Sequence, residues 1–233
     1  MALIVQKYGG TSVGDVERIQ GVAQRVAGYK RAGHDVVVVV SAMSGETNRL
    51  MSLGQAAGGE KPDARELDVL LASGEQVTIA LLSMALAQIG IAARSFLADQ
   101  IAVRTDFAHG KARIEHIDTN KLARDLEQGY VAVVAGFQGV NADGDITTLG
   151  RGGSDTSAVA LAAALKADVC EIYTDVPGVL STDPRKVPNA QLMSEVSCDE
   201  MLELASLGAS VLHPRAVEIA RNYCVPLRVR SSW

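Results

Sequence analysis

Aromatic side chains are scarce in this sequence: one Trp, five Tyr and three Phe make up 4% of 233 residues. A core short of large rings must be filled with Ala, Val and Leu, which suits a parallel sheet covered by helices. Basic blocks are absent too. The net charge is −5 and Lys and Arg are scattered, which argues against a nucleic-acid surface. Anionic ligands would have to be held by local positive groups, because the overall field does not attract them. Cysteine is limited to Cys170, Cys198 and Cys224, an odd number, widely spaced and without C-x-x-C. That usage fits reduced thiols in a cytoplasmic protein. The four histidines, His34, His109, His116 and His213, lack metal-ligand spacing, so no structural metal is expected. The valine run Val36–Val40 is far too short to cross a bilayer. Met1–Lys7 lacks the basic stretch and long apolar run of a secretory leader. Finally, there is no G-x-x-x-x-G-K-[ST] and no G-x-G-x-x-G after the first apolar run, which excludes a Walker loop and a dinucleotide fingerprint.

What is present is an alternation of short β-rich runs and helical patterns. Leu3–Val5 leads into a glycine turn. Asp15–Arg31 has helical spacing, with Val16, Ile19, Val22, Ala23, Val26 and Ala27 on one face. Val36–Val40 reads as a fully buried parallel strand. Further strands are expected at Ala92–Phe96, Val131–Ala135, Val169–Thr174 and Leu227–Val229. Further helices are expected at Arg65–Ile89 with a break at Ser73-Gly74, and at Asp118–Gln128, Asp155–Lys166, Cys198–Ser206 and Pro214–Tyr223. Gly54–Ala64 reads as a loop or lid, and Asn141–Asp145 as a hairpin turn. Such βα alternation implies an α/β three-layer sandwich, an open, mostly parallel sheet with helices on both faces. Ligands then belong beyond the carboxyl ends of the strands.

Distinctive polar segments sit at those strand ends. Lys7-Tyr8-Gly9-Gly10-Thr11-Ser12 places a compact cation beside glycines whose N–H groups can approach phosphate oxygens. It reads equally as a glycine turn with a solvated lysine. In Thr147–Thr156, Ser154 or Asp155 would cap a helix, and the amides of Gly152 and Gly153 would sit at its positive end. Arg151 there offers a planar fork for a carboxylate. Ser41–Asn48 could contact a small polar ligand or be a plain strand-to-helix turn. Glu75, in Ser73-Gly74-Glu75, could pair with an ammonium or lie on the surface. Tyr173–Val179, continuing to Ser181–Lys186, could hold ribose and phosphates or form a long loop.

Together these segments resemble the aspartate kinase family of the amino-acid kinase superfamily. The resemblance is carried by Lys7–Ser12, Ser41–Asn48, Ser73–Gln76, Ala135–Gly139, Thr148–Asp155, Tyr173–Arg185 and Glu203–Arg215, in order, over essentially the whole chain. It implies one catalytic domain over 1–233, with an amino-acid-binding part at about 1–140 and a nucleotide-binding part at about 141–233. It implies transfer of a phosphoryl group from ATP, with Mg²⁺ held through the ATP phosphates, to the side chain of L-aspartate. Lys7 and Asp155 would be catalytic. Lys7, Tyr8, Gly9, Gly10, Ser41, Thr174, Asp175, Arg185 and Lys186 would bind ATP. Thr47, Glu75, Arg151, Gly152, Gly153 and Ser154 would bind the amino acid, and Asp118–Asn120 and Gly136–Gln138 would wall its site. Members of the family usually carry C-terminal ACT regulatory domains. The resemblance implies that these lie outside the 233 residues and that the chain works as a homodimer or larger assembly. Pro177 and Leu180 stand where family members often have Asp and Tyr, and Leu97–Gln100 also departs from the family pattern. A relative acting on another small carboxylate, or a nucleotide-binding module without catalysis, are the competing readings.

Overall fold

A computed structural model describes residues 1–182, 187, 189–206 and 211–233. In chain order its first half comprises β1 (Leu3–Tyr8), α1 (Val16–Arg31), β2 (Asp35–Val40), α2 (Glu46–Gly58), α3 (Ala64–Gln88), β3 (Ala93–Phe96), β4 (Val103–Thr105), β5 (Ile114–Ile117) and α4 (Asn120–Glu127). Then follow β6 (Val131–Ala135), β7 (Gln138–Val140), β8 (Ile146–Thr148), α5 (Gly153–Leu165), β9 (Val169–Thr174), α6 (Cys198–Ser206), α7 (Pro214–Asn222) and β10 (Leu227–Ser231).

The valine run decides the architecture. In a strand, successive side chains face opposite sides. Val36, Val38 and Val40 enter one apolar cluster, with Ile19, Val22 and Val26 of α1 and Ile79, Leu82 and Leu86 of α3. Val37 and Val39 enter another, with Leu122 of α4, Val159 and Leu161 of α5 and Val217 of α7. Both faces are therefore covered, which gives the expected three layers. The central sheet has six strands in the order β10-β9-β1-β2-β6-β3, every pair parallel. α3 is long and apolar enough by composition to span a membrane. Its apolar stripe, however, is the one packed on the sheet.

Three features differ from the sequence reading. A second, four-stranded sheet, β5-β4-β7-β8, stands beside the first. Its strands are three or four residues long, too short for a periodicity signal. The expected hairpin at Asn141–Asp145 joins two of them, β7 and β8. Second, Gly54 lies inside α2, where a loop was expected. A Cβ there would come within 2.8 Å of Leu67 Cδ1, so the glycine lets α2 and α3 touch. Third, α3 runs unbroken through Ser73-Gly74. A Cβ on Gly74 would lie 2.8 Å from Ala42 Cβ. Glycine marks close approach at both places rather than a break.

That last contact fixes the sign of a substitution. Gly→Ala inside a helix ordinarily stabilises by about 1 kcal/mol. At Gly74 the added methyl overlaps Ala42, and overpacking costs about 1–3 kcal/mol. Gly74→Ala should therefore lower the urea midpoint; a raised midpoint would contradict the packing described.

Candidate active site

The strand ends open into one cleft of about 550 Å³. Lys7, near the end of β1, projects its ammonium to 2.7 Å from Asp155 Oδ1, and both side chains are 12% exposed. The contact is ionic, without the angles of a well-directed hydrogen bond. Asp155 sits in the first turn of α5, where a carboxylate is favoured by the helix dipole. Neither it nor Ser154 caps that helix, contrary to expectation. The N-cap is Gly152, at φ +68°, with no side-chain cap. A Cβ at Gly152 would lie 2.3 Å from His213, so only glycine fits both the backbone angle and the packing. The amide of Gly153 is spent on the Gly150 carbonyl at 3.0 Å and is not available to an anion.

α3 supplies the opposite wall. Glu75 is 2% exposed. Its Oε1 accepts from the Ala42 amide at 2.9 Å, while its buried Oε2 has no partner. Burial pushes this carboxyl well above the usual range, to about 7. An unpartnered buried oxygen on a cleft wall is the place for a ligand's donor.

Two turns earlier on the same helix, Asp68 also borders the cleft. Its carboxylate accepts from the amides of Gly110 (3.0 Å) and Thr148 (3.0 Å), from Thr148 Oγ1 (2.6 Å), and lies 2.8 Å from His109 Nδ1. It binds α3, the loop before β5 and the end of β8 together. The sequence reading missed Asp68, since its donors stand about 40 and 80 residues away and no local pattern marks it. Phe137 was expected as a wall, and its strain is visible only in the structure. It lines the cleft at φ +70°, rare for a bulky residue. The Ser157 hydroxyl, 3.1 Å from its amide, and the Leu149 amide, 2.9 Å from its carbonyl, hold it there. Such strain gathers at functional sites.

Lys7, Gly9, Gly10, Ser41, Thr47, Glu75, Arg151, Gly152, Gly153, Ser154 and Asp155 all line this one cleft. Other expected site residues do not. The Tyr8 ring is fully buried on the opposite face of the sheet, stacked on Tyr173 with centroids 4.7 Å apart, leaving its backbone alone near the site. Thr174 and Asp175 stand at the end of β9, next to β1 but off the cleft lining. Asp118–Asn120, Gly136 and Gln138 are also off it. Arg185 and Lys186 lie outside the described residues. A second, larger cavity of about 840 Å³ lies beside β10, lined by Val179, Met201, Leu212 and Val229 among others. Glu195, Arg228 and Arg230 also line it, but among the described residues it has no lysine and no counterpart of the buried Lys7–Asp155 pair, so the first cleft is the candidate site.

The sequence profile of the amino acid kinase family matches residues 2–231. The chain is 62% identical over 232 residues to aspartokinase 2 of Bacillus subtilis, covering 100% of this chain and 57% of that protein. It is also 62% identical over 233 residues to the aspartokinase of Pseudomonas aeruginosa, again covering all of this chain and 56% of that one. It thus spans little more than half the length of these relatives. Among solved structures, aspartate kinase from Synechocystis superposes with a TM-score of 0.86 at 60% identity, over 100% of this chain and 38% of that one. E. coli aspartokinase III in complex with aspartate and ADP superposes at 0.91 and 29% identity, over 99% of this chain and 62% of that one. A three-layer fold with one rim of glycine turns, a lysine–aspartate pair and a match over nearly every residue leave one conclusion: the chain belongs to the amino acid kinase family.

Proposed function

We propose that the chain is the catalytic part of an aspartate kinase. It transfers the γ-phosphoryl group of ATP to the side-chain carboxylate of L-aspartate, giving 4-phospho-L-aspartate, the first step toward lysine, threonine and methionine. The observation that carries this reading is the cleft's division of charge. A buried carboxylate with a free oxygen, Glu75, faces the same space as Arg151 and the Lys7–Asp155 pair. An amino acid needs one anion for its ammonium and one cation for its α-carboxylate; a nucleotide needs a cation and glycine amides for its phosphates. The relatives named aspartokinase, and the solved complex with aspartate and ADP, support the choice.

The assigned roles follow from position. Glu75 Oε2 receives the substrate ammonium and Arg151 the α-carboxylate, with Thr47 and Ser154 alongside. Gly9, Gly10 and Ser41 take the phosphates, Gly10 by its amide, Ser41 by its hydroxyl and Gly9 by allowing close approach, since the Gly9 and Ser41 amides already donate to the Tyr173 and Tyr8 carbonyls. Thr174 and Asp175, at the end of β9, reach the nucleotide from outside the cleft. The amino-acid contacts so assigned come from both parts, Thr47 and Glu75 from about 1–140 and Arg151 and Ser154 from about 141–233, while Lys7, Gly9, Gly10 and Ser41 on the phosphates belong to the first part and Thr174 and Asp175 to the second. The nucleophile is already an anion at neutral pH, since an aspartate side chain ordinarily titrates at about 3.9, so no general base is needed. The work is to bring two anions together. Lys7 holds the transferred group in line and offsets its charge. Among the described residues no three His, Cys, Asp or Glu side chains cluster as a metal site. A magnesium ion would be held mainly by the nucleotide's phosphates, near Asp155, where it would supply further charge neutralisation. The free cysteines support a cytoplasmic location. The greater length of the relatives leaves room for the regulatory ACT-containing region or subunit we propose, and assembly as a homodimer or larger is part of the same proposal.

Lys7→Ala should lower kcat at least ~100-fold while leaving the fold intact by circular dichroism. The assay is hydroxamate formation with hydroxylamine, run on aspartate and on glutamate. A near-native rate in the variant removes Lys7 from the mechanism, and a preference for glutamate removes the substrate assignment.

Glu75 sets a pH dependence. Its folded pKa, about 7, lies above the usual unfolded value of about 4.3. The native state therefore binds the extra proton, and the ligand-free protein loses stability as pH rises from about 4.3 to about 7. A substrate ammonium reverses this by favouring the carboxylate. Aspartate binding should release most of a proton at about pH 6 and almost none at about pH 8.5. Calorimetry in buffers of different ionisation enthalpy measures this, and Glu75→Gln should abolish the release.

A further inference from the structure

The residues that follow β10 are fastened to the turn after Gly9. Ser232 donates from its amide at 2.8 Å and from its hydroxyl at 2.7 Å to the Thr174 carbonyl. Ser12 Oγ donates to Ser232 Oγ at 2.8 Å, and Arg25 Nη2 donates to the Ser232 carbonyl at 3.1 Å. One residue further, Trp233 lies against the Arg18 guanidinium, 4.1 Å from the ring centroid, and the same guanidinium donates to the Thr11 carbonyl at 2.6 Å. Ser12 itself is 2% exposed, and its amide closes the turn on the Gly9 carbonyl at 2.9 Å. Two neighbouring residues thus grip Thr11 and Ser12, some 220 positions away in sequence.

We propose that Ser232 and Ser12 are positioning residues for the glycine turn that cradles the triphosphate, and that Trp233, the one tryptophan in these 233 residues, senses its occupancy. The inference rests on the assignment of Gly9 and Gly10 to the phosphates. A backbone cradle is useful only if its N–H groups are already in place. Two consecutive glycines are poor at staying in place, because they lose the most freedom on ordering. The turn's own hydrogen bonds fix it from within, and the Ser12–Ser232 hydroxyl pair fixes it from outside. Ser232 also holds the Thr174 carbonyl, so one side chain ties together the two segments assigned to nucleotide. The amino-acid contacts, Glu75 on α3 and Arg151 before α5, are not part of this junction. The effect of breaking it should therefore fall on ATP and spare aspartate.

The test is steady-state kinetics on Ser232→Ala, Ser12→Ala, the double variant and Ser232→Thr. Ser12→Ala should raise KM for ATP about fivefold, as loss of one hydrogen bond does, Ser232→Ala, which loses two, at least as much, and both should leave KM for aspartate within about twofold. The double variant should be no worse than Ser232→Ala, because that variant already removes the Ser12–Ser232 link. Ser232→Thr, which keeps the hydroxyl, should restore the wild-type value. Should buried Ser12→Ala fail to fold, partly exposed Ser232→Ala carries the test. In parallel, Trp233 emission is followed on titration with Mg-ATP and with tripolyphosphate, and should change in the wild type and respond less in Ser232→Ala. An unchanged KM for ATP, equal rises in both KM values, or multiplicative effects in the double variant overturn the proposal. ATP binding detected by calorimetry without a change in Trp233 emission overturns the sensing role and leaves the kinase reading standing. Absence of ATP binding by calorimetry overturns both.

Discussion

Burial on both faces of the central sheet is the constraint on which everything else depends. Val36 to Val40 are each fully buried, and a parallel strand so covered presents almost no surface for chemistry along its length. Because all six strands run the same way, their carboxyl ends open on one rim, and polar function collects there. Lys7 lies near the end of β1 and Gly9 follows it, Ser41 follows β2, Phe137 follows β6 and Thr174 ends β9. The sheet's own exceptions confirm the rule. Gln6 and Glu171 are buried inside strands, and Glu171 is matched by Gln6 at 3.1 Å, the Tyr173 hydroxyl at 3.0 Å and Arg230 at 3.1 Å. A buried carboxylate is tolerated where its lone pairs are met.

The contrast between Asp68 and Glu75 shows the same rule applied in opposite senses. Both are buried carboxylates on α3 facing one cleft. Asp68 is saturated by donors and fixes the walls. Glu75 leaves one oxygen unmet and is pushed toward protonation by desolvation. An unmet buried acceptor costs about 1–3 kcal/mol of stability. A ligand with an ammonium group, as proposed above, would complete the site. Lys7 and Asp155 are matched instead by each other, 2.7 Å apart in a largely buried setting.

Much of the fold was legible in the residues. Val131–Ala135, Val169–Thr174 and Cys198–Ser206 fall where the pattern put them, since β-branched runs and helical spacing are strong local signals. The glycines misled. Gly54 and Gly74 look like breaks along the chain, yet they allow helix α2 to meet α3 and α3 to meet Ala42. A glycine kept for close approach cannot be told from one kept for flexibility until its neighbour is known. The small sheet was invisible because its strands, three or four residues long, are held by partners distant in sequence.

By itself the sequence determined the element types, the layered class, the family resemblance and the residues Lys7, Glu75, Arg151 and Asp155 as candidates, because short-range patterns and ordered motifs carry that information. The tertiary structure decided that these four share a cleft, that Tyr8 turns its ring into the core, that Asp68 binds three segments together and that Ser232 meets Ser12. Those facts are contacts between residues tens to hundreds of positions apart. They come into being only when the sheet order is set and both of its faces are closed.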